Sequence, residues 1–189
     1  MQTKTIFTAS ILSGLAAAAP WYGSHKPKVP KPFELLAVGC DPIQFAGFNA
    51  AKSSLFLELP QQGATCDTQA DSFATFRLTK ETELYLYSTE NPPQKIYVDR
   101  SGMGQGKIGY VTGAEPPPKN AETKGWKIDE SGNLTLDGAS FIACPHSIQG
   151  AWSVWVSAGV ANPGGNKKCL GFSAQVSEAT DPKSCLYTS

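Results

Sequence analysis

Two stretches, ELYLYS at residues 83–88 and WSVWVSA at residues 152–158, decide the fold that this sequence predicts. Over a few residues in each, the side chains alternate in polarity, which is the pattern of a β-strand with one face on a core. An amphipathic helix would instead repeat its apolar positions every three to four residues. We therefore expect both stretches to be strands.

Ten further short apolar runs share this character, and turns rich in Gly, Pro, Asn or Asp separate them. They are FELLAV (33–38), IQFAGF (43–48), SLFLEL (54–59), FATFRL (73–78), KIYVD (95–99), KIGYVT (107–112), GWKIDE (125–130), NLTLDG (133–138), SFIAC (140–144) and LGFSAQV (170–176). No long stretch has a helical period with caps. The sequence predicts an all-β single domain, either a β-sandwich or a closed β-barrel of short antiparallel strands.

Residues 1–18 have the pattern of a secretory signal peptide. Lys4 precedes an apolar stretch at 6–15, and a small-residue tract at 16–19 follows. The apolar stretch is shorter than the roughly 20 residues that span a bilayer. We expect cleavage after Ala18 and secretion. Residues 19–32 carry Pro and Lys at close intervals, which predicts an extended, flexible arm before the domain at 33–189.

The charge balance limits the class of partner. The chain has 16 basic and 16 acidic residues, so no basic excess attracts nucleic acid or an anionic membrane. The last residues, 185–189, form no hydrophobic tail, and we expect neither a glycolipid anchor nor a membrane span. Any retention at a surface is expected to be by adhesion.

Five cysteines in a secreted chain predict about two disulfides and one spare thiol. Their wide, irregular spacing argues against a zinc site. If the last strands form an up-and-down meander, Cys144 and Cys185 share one end of the sheet. We then expect Cys66 to pair with Cys169, with Cys40 free or bonded to another molecule. Other connectivities stay open, because spacing alone does not fix the pairing.

Motifs for catalysis or cofactors are weak. Residues 104–109 match GxGxxG, but the following residues resemble a strand, and the three prolines at 116–118 exclude the helix that would face a dinucleotide. His25 and His146 have no GxSxG or HExxH companion. Pairs of carboxylates exist, as in any chain of this size. We therefore expect no cofactor, no metal and no catalytic residue.

Two further positions carry hypotheses about carbohydrate. Asn133 begins the only N-x-[ST] sequon, at a turn marked by glycine, and is the predicted N-glycosylation site. Tryptophan rings can stack on the C–H faces of sugars. Trp126 lies in a polar stretch and is our candidate for such a contact, whereas we expect Trp152 and Trp155 to lie in the core.

Several blocks of sequence resemble the fungal PhiA cell-wall protein family, which is associated with phialides and conidia. They are IYVDRSGMGQGKIGY (96–110), GW (125–126), ACP (143–145), QGAWSVW (149–155), GVANP (159–163) and SCLY (184–187). The resemblance covers nearly all of the chain from Phe33. It implies a secreted, non-enzymatic wall protein needed for phialide and spore (conidium) development, with some members known as allergens. It also implies cysteine at 66, 144, 169 and 185, with Cys40 an addition.

Three functions follow from these observations. The first is a structural or interaction protein of the fungal wall, held noncovalently by wall polysaccharide, such as glucan or chitin, or by mannoprotein. The second is a stand-alone carbohydrate-binding module for wall glucan or chitin. The third is a small secreted hydrolase, for which no residue signal is specific.

Overall fold

The computed structural model describes residues 31–69 and 73–189. The predicted signal peptide and all but the last two residues of the predicted arm lie outside the described residues. The strands are β1 (Phe33–Val38), β2 (Phe48–Ala51), β3 (Ser54–Leu57), β4 (Thr65–Cys66), β5 (Phe76–Leu78), β6 (Leu84–Leu86), β7 (Gln94–Asp99), β8 (Lys107–Thr112), β9 (Trp126–Ile128), β10 (Asn133–Leu136), β11 (Phe141–Cys144), β12 (Trp152–Val156), β13 (Leu170–Glu178) and β14 (Cys185–Leu186). Two 3₁₀ turns, Ile148–Gly150 and Pro163–Gly165, are the helical elements of this part of the chain. The all-β prediction is confirmed.

Eight strands close into an antiparallel barrel. Around the ring the order is β1, β5, β6, β7, β8, β12, β11 and β13, and β13 pairs back with β1. Closure leaves the ring without an exposed sheet edge. Of the two predicted architectures, the barrel is therefore the one that forms.

The remaining strands attach to this ring. The β2–β3 hairpin joins β12 through β3, and the β9–β10 hairpin joins β13 through β10. Strands β4 and β14 form a separate two-stranded sheet. The predicted strand at 43–48 is shorter than expected, because residues 43–46 form turns and β2 begins only at Phe48. Phe45 has a positive φ of 63°, which a strand does not accommodate.

Aromatic rings fill the interior of the barrel. The Phe48 ring centroid lies 6.2 Å from Phe76, 6.0 Å from Phe141 and 5.9 Å from Phe172, at the separations that aromatic pairs favour. A barrel of eight strands has an interior just wide enough for side chains to fill it. Because Phe48 comes from the β2–β3 hairpin, its burial also fixes that hairpin to the barrel core.

The last residues of the chain, 184–189, are built into the fold, and we call them the C-terminal clasp. The Tyr187 N–H donates to Gln94 Oε1, and Gln94 Nε2 donates to the Tyr187 carbonyl, both at 2.8 Å. Tyr187 is buried, and its hydroxyl oxygen accepts the Thr75 N–H at 3.1 Å. The clasp thereby contacts the starts of β5 and β7 together.

The predicted disulfide pairing was wrong. Cys66 bonds Cys185, and Cys144 bonds Cys169. The meander assumption failed because β11 lies between β12 and β13, which both run antiparallel to it. Residues 157–169 therefore return along the barrel and bring Cys169 back to Cys144. Strands β4 and β14 place Cys66 directly opposite Cys185.

No helix in the described ranges is long and apolar enough to cross a membrane.

The two disulfides differ in loop length, and this predicts unequal contributions to stability. Cys66 and Cys185 are 119 residues apart, whereas Cys144 and Cys169 are 25 apart. Loop-closure entropy predicts about 5 kcal/mol for the longer loop and about 3.5 kcal/mol for the shorter one. In a Cys40→Ala background, we expect replacement of Cys66 and Cys185 by alanine to cost more unfolding free energy than replacement of Cys144 and Cys169. Urea denaturation measures both costs, and the reverse order would contradict the entropic account.

The buried Tyr110 predicts a loss of stability at alkaline pH. Burial raises the pKa of Tyr110 above its usual value, and its hydroxyl donates to the Thr188 carbonyl in the clasp. The folded state therefore keeps this proton to higher pH than the unfolded chain, whose tyrosines titrate at about pH 10. The stability that the protonated hydroxyl contributes is complete below that pH and is lost as the pH rises above it. We expect Tyr110→Phe to lower the unfolding free energy by about 1 kcal/mol at pH 8. Above pH 10, the unfolding free energy of the variant, measured by urea titration, should fall less steeply with pH than that of the wild type. An unchanged alkaline slope would contradict this assignment.

Candidate functional site at Trp155

A tightly bonded loop, residues 99–107, joins β7 to β8, and we call it the signature loop. The Asp99 carboxylate accepts the Ser101 N–H at 2.9 Å, and the Asp99 carbonyl accepts the Gly106 N–H at 2.8 Å. Ser101 Oγ accepts the Gly104 N–H at 3.2 Å. These bonds hold the loop in one shape and leave Met103 at its tip, 94 % exposed.

The glycines of the GxGxxG match have steric reasons for lacking a side chain. A Cβ on Gly104 would lie 2.4 Å from the Asp99 carbonyl oxygen, and one on Gly106 would lie 1.9 Å from the Val156 carbonyl oxygen. A Cβ on Gly109 would lie 2.5 Å from the Tyr97 hydroxyl. The motif is part of a β-hairpin with close packing, and strand β8 occupies the place where a dinucleotide site needs a helix.

Arg100 connects the signature loop to two other segments. Its guanidinium bonds the Glu122 carboxylate, with Nε 3.0 Å from Oε1, and reaches Asp137 Oδ2 at 2.8 Å. The hydrogen bonds to Glu122 raise the pKa of Arg100 above its usual value, so the group stays charged. Both carboxylates bond the same guanidinium, which indicates a brace for the loop.

Trp155 lies on the outer wall of the barrel. Its neighbours Val154 and Val156 are buried, and the alternation of the strand turns Trp155 outward. The ring is partly exposed and belongs to neither of the buried hydrophobic clusters. Its Nε1 donates to Ser153 Oγ at 3.0 Å, which fixes the plane of the indole. The Trp155 ring thus faces outward and has a fixed orientation.

Residues 157–169 fold against this ring. A Cβ on Gly164 would lie 2.7 Å from Trp155 Cη2, so the glycine lets the backbone approach the benzene end of the indole. The Gly164 N–H donates to Gln105 Oε1 at 2.8 Å, which joins residues 157–169 to the signature loop. Asn166 Nδ2 donates to the Pro163 carbonyl at 2.7 Å. We call Trp155 and the residues next to it or to Gly164 the Trp155 patch: Gln105, Lys107, Ser153, Trp155, Gly164 and Asn166.

The Cys144–Cys169 disulfide anchors residues 157–169 beside the patch. Cys144 lies opposite Ser153 in the β11–β12 register, and Ser153 is the residue that accepts the indole N–H. At the other end of the bond, the Cys169 N–H donates to Asn162 Oδ1 at 3.2 Å. The covalent bond therefore holds the segment that carries Gly164 against the barrel wall.

The chemistry of the Trp155 patch is mostly uncharged. Gln105 and Asn166 supply carboxamides, Ser153 supplies a hydroxyl, and Lys107 is the charged member, lying opposite Asp99 in the β7–β8 register. Such a set can stack on an apolar surface and exchange hydrogen bonds with hydroxyl groups. Within residues 31–69 and 73–189, no group of three or more His, Cys, Asp and Glu side chains could hold a metal ion.

The tryptophan predictions need correction. Trp126 was the candidate for contact with carbohydrate, but it is 1 % exposed and stacks on Phe141 with 6.4 Å between ring centroids. The polar neighbours of Trp126 misled the prediction, because β9 is short and buries little besides this residue. Trp155 was expected in the core and instead faces outward. Trp152 is partly buried and packs on the main core. The alternation of Trp155 with Val154 and Val156 was the signal that could have identified it.

The other predicted site residues, Asn133 and Cys40, are not part of the Trp155 patch. Asn133 begins β10 and is partly exposed, and its N–H donates to Asp129 Oδ1 at 2.9 Å. Its glycosylation stays a prediction. Cys40 is exposed and forms no disulfide in the described part of the chain.

A pair of alanine substitutions tests the steric account of the signature loop. Gly106 has a φ of +93° and a backbone carbonyl where a Cβ would stand, whereas a Cβ on Gly102 would meet nothing within 4 Å. We expect Gly106→Ala to lower the unfolding free energy by at least about 2 kcal/mol, and Gly102→Ala, the matched control, to change it little. Denaturation midpoints measure both, and equal effects would contradict the account.

Comparison with known proteins places the chain among fungal wall proteins. The family model described as PhiA-like secreted protein matches residues 33–188. A cell wall protein phiA of Aspergillus fumigatus is 47 % identical over 189 residues, which is all of both chains. One of Emericella nidulans is 50 % identical over 184 residues, or 96 % of this chain and 98 % of the relative. One of Aspergillus niger is 46 % identical over 190 residues, covering both chains completely.

No solved structure shows significant similarity to the chain. The resemblance noted in the sequence is confirmed by the family match and by these full-length relatives. They support a secreted, extracellular location in the fungal cell wall. The chain belongs to the PhiA-like secreted protein family.

Proposed function

We propose that this protein is a non-enzymatic structural and interaction component of the fungal cell wall. It is retained there by noncovalent contact with wall polysaccharide or mannoprotein, and it supports the development of phialides and conidia. The relatives carry the name cell wall protein, which supports the location part of this proposal. The developmental part is supported by the resemblance to a family associated with phialides.

The observation that carries the structural role is the filled, uncharged interior of the barrel. The Phe48, Phe76 and Phe141 side chains are fully or almost fully buried there. In the described ranges, the buried polar side chains are all uncharged: Asn49, Gln62, Thr75, Gln94 and Ser184. Catalytic acids and bases are typically carboxylates or histidines with pKa values shifted by burial and by neighbours. The filled, uncharged interior therefore supports a structural role, in which a rigid barrel presents its outer wall to partners.

A second candidate is a stand-alone carbohydrate-binding module. The outward Trp155, bonded to Ser153 and flanked by Gly164, favours it, because an ordered aromatic ring on a sheet surface is suited to stacking on sugar. The two candidates differ in where the protein resides. A structural component stays in the wall through several contacts, whereas a free module is released by competing soluble sugar.

Wall fractionation tests the proposed function. Because the proposed retention is noncovalent, we expect hot detergent to release the protein from purified walls without glucanase or chitinase digestion. Immunoblotting of the medium, the detergent extract and the enzyme digest measures the distribution. Recovery only from the medium would contradict retention. Sugar release from purified wall glucan by the pure protein, lost on replacing one carboxylate, would contradict the non-enzymatic role.

Deletion of the gene tests the developmental part separately. The proposal predicts abnormal phialides and fewer conidia, restored by the wild-type chain. Normal conidiation in the deletion strain would contradict this part and leave the wall location unaffected.

A further inference from the structure

We infer that the outer wall beside Trp155 binds a glycan that carries phosphodiester groups. The inference rests on the proposed noncovalent retention in the wall, and it names the surface and the class of polymer responsible. We call this surface the lysine face, and it consists of Lys107, Trp155, Lys167 and Lys168.

The first argument is the position of the lysines around the tryptophan. Lys107 on β8 lies opposite Trp155 on β12, so both side chains point to the same side of the sheet. Lys167 follows Gly164 by three residues, and Gly164 lies against the benzene end of the indole. Three residues span at most about 11 Å, so the backbone of Lys167 stays close to the ring.

The segment that carries Lys167 and Lys168 is fixed at both ends. At one end, the Gly164 N–H donates to the signature loop at 2.8 Å. At the other end, Cys169 directly follows Lys168 and is bonded to Cys144 on the barrel wall. A surface whose backbone is already ordered loses little conformational entropy when it binds, which favours affinity for an extended chain.

The second argument is the charge of this face. Lys107, Lys167 and Lys168 are all exposed, and none of them forms an ion pair in the described part of the chain. The sequence has no Asp or Glu between Asp137 and Glu178. Strands β11 and β12 and the segment between β12 and β13 therefore contribute no carboxylate to the wall on which the lysines lie.

The carboxylates that border the face come from neighbouring strands. Asp99 lies opposite Lys107 in the β7–β8 register, and Glu58 follows β3, which pairs with β12. The Asp99 carboxylate accepts the Ser101 N–H at 2.9 Å within the signature loop. The two carboxylates that bond Arg100 share its positive charge. The three lysine ammonium groups are therefore free to bind an anion, and they attract it electrostatically.

The third argument is the chemistry of the groups. A lysine ammonium is a compact charge with three rotatable donors, and it binds phosphate as a point charge. A planar carboxylate is matched best by the fork of a guanidinium, but Arg100 is already bonded to two carboxylates. A phosphodiester therefore fits the lysines better than a uronate does. The outward ring of Trp155 can stack on the adjoining sugar.

A glycan fits this face better than a nucleic acid does. Proteins that bind single-stranded nucleic acid combine a positively charged groove with several aromatic rings on which successive bases stack. The lysine face has the single ring of Trp155, and the chain as a whole has equal numbers of basic and acidic residues. The local charge therefore favours a polymer with scattered phosphate groups over one with a phosphate on every unit.

Depletion binding tests the inference. The secreted full-length protein is mixed with particulate phosphorylated mannan, and the unbound fraction is measured against polymer concentration. We expect the double variant Lys167→Glu, Lys168→Glu to bind about tenfold more weakly or worse, because two charged donors are lost. Both side chains are exposed, so the change does not disturb the core. Wild-type affinity in this variant would overturn the inference.

The matched control is the double variant Lys80→Glu, Lys119→Glu, which changes the net charge by the same amount. Both lysines are exposed and have no ion pair within residues 31–69 and 73–189. Lys80 lies between β5 and β6, across the barrel from β12 and β11. We expect wild-type binding. Equal weakening in the two double variants would overturn the assignment to this face, since net charge alone would then explain the binding.

Trp155→Ala tests the contact with the sugar. We expect it to weaken binding a few-fold, because the stacking surface is lost. Wild-type affinity in folded Trp155→Ala would overturn the choice of a glycan. If Trp155→Ala does not fold, the double variant of Lys167 and Lys168 still decides whether the face binds the polymer.

The ligand arms test the choice of polymer. We expect binding to be lost when the phosphate groups are removed from the same mannan, and in about 1 M salt, where the Debye length is about 3 Å. Undiminished binding to the dephosphorylated mannan would overturn the choice of anion. Tighter binding of RNA or of a polyuronate than of phosphorylated mannan would overturn the choice of polymer.

Wall fractionation of the same variants separates this inference from the proposed function. We expect Lys167→Glu, Lys168→Glu to shift from the wall fraction to the medium. If this variant stays in the wall as the wild type does, the proposed retention stands, and the inference fails because another surface is responsible. If the wild type binds phosphorylated mannan through these lysines but is never in the wall, the proposed function fails and the binding surface stands.

Discussion

The Gln94 side chain makes two hydrogen bonds with the backbone of Tyr187, and the rest of the structure depends on this pair. Buried polar groups are costly unless they are paired, and here two backbone groups and one carboxamide satisfy each other. The pairing places the Tyr187 ring in the core, where its hydroxyl accepts the Thr75 N–H. Next to it, the Cys66–Cys185 bond joins the same segment to β4. The end of the chain is thus a structural element that fixes the starts of β5 and β7 at one end of the barrel.

With that end fixed, the two disulfides have different roles. Cys66–Cys185 secures the C-terminal clasp, whereas Cys144–Cys169 secures residues 157–169 on the outer wall beside Trp155. The interior is filled by aromatic rings, so the surfaces available to partners are outside. A rigid barrel whose outer wall carries an ordered tryptophan suits the proposed retention in the wall by noncovalent contact. The signature loop contributes by placing Gln105 against Gly164.

Part of this structure could be predicted from the sequence. The alternation at 83–88 and 152–158 predicted the β class, and the family resemblance predicted the location. The strands β4 and β14 could not be predicted, because two residues have no periodicity. The disulfide pairing failed for a topological reason: nothing local shows that residues 157–169 travel back along the barrel. Trp126 was misjudged because of its polar neighbours in sequence, and Trp155 because a large aromatic residue was expected in the core. Strand alternation, which decides the direction of a side chain, was given too little weight in both cases.

Hydrogen exchange at the Tyr187 amide tests most directly whether the clasp closes the fold. If the Gln94–Tyr187 pair is a structural element, this amide exchanges as slowly as the amides of β7, through global unfolding. Exchange within seconds under native conditions, as at an exposed chain end, would contradict the account and would show that the barrel is closed without the clasp.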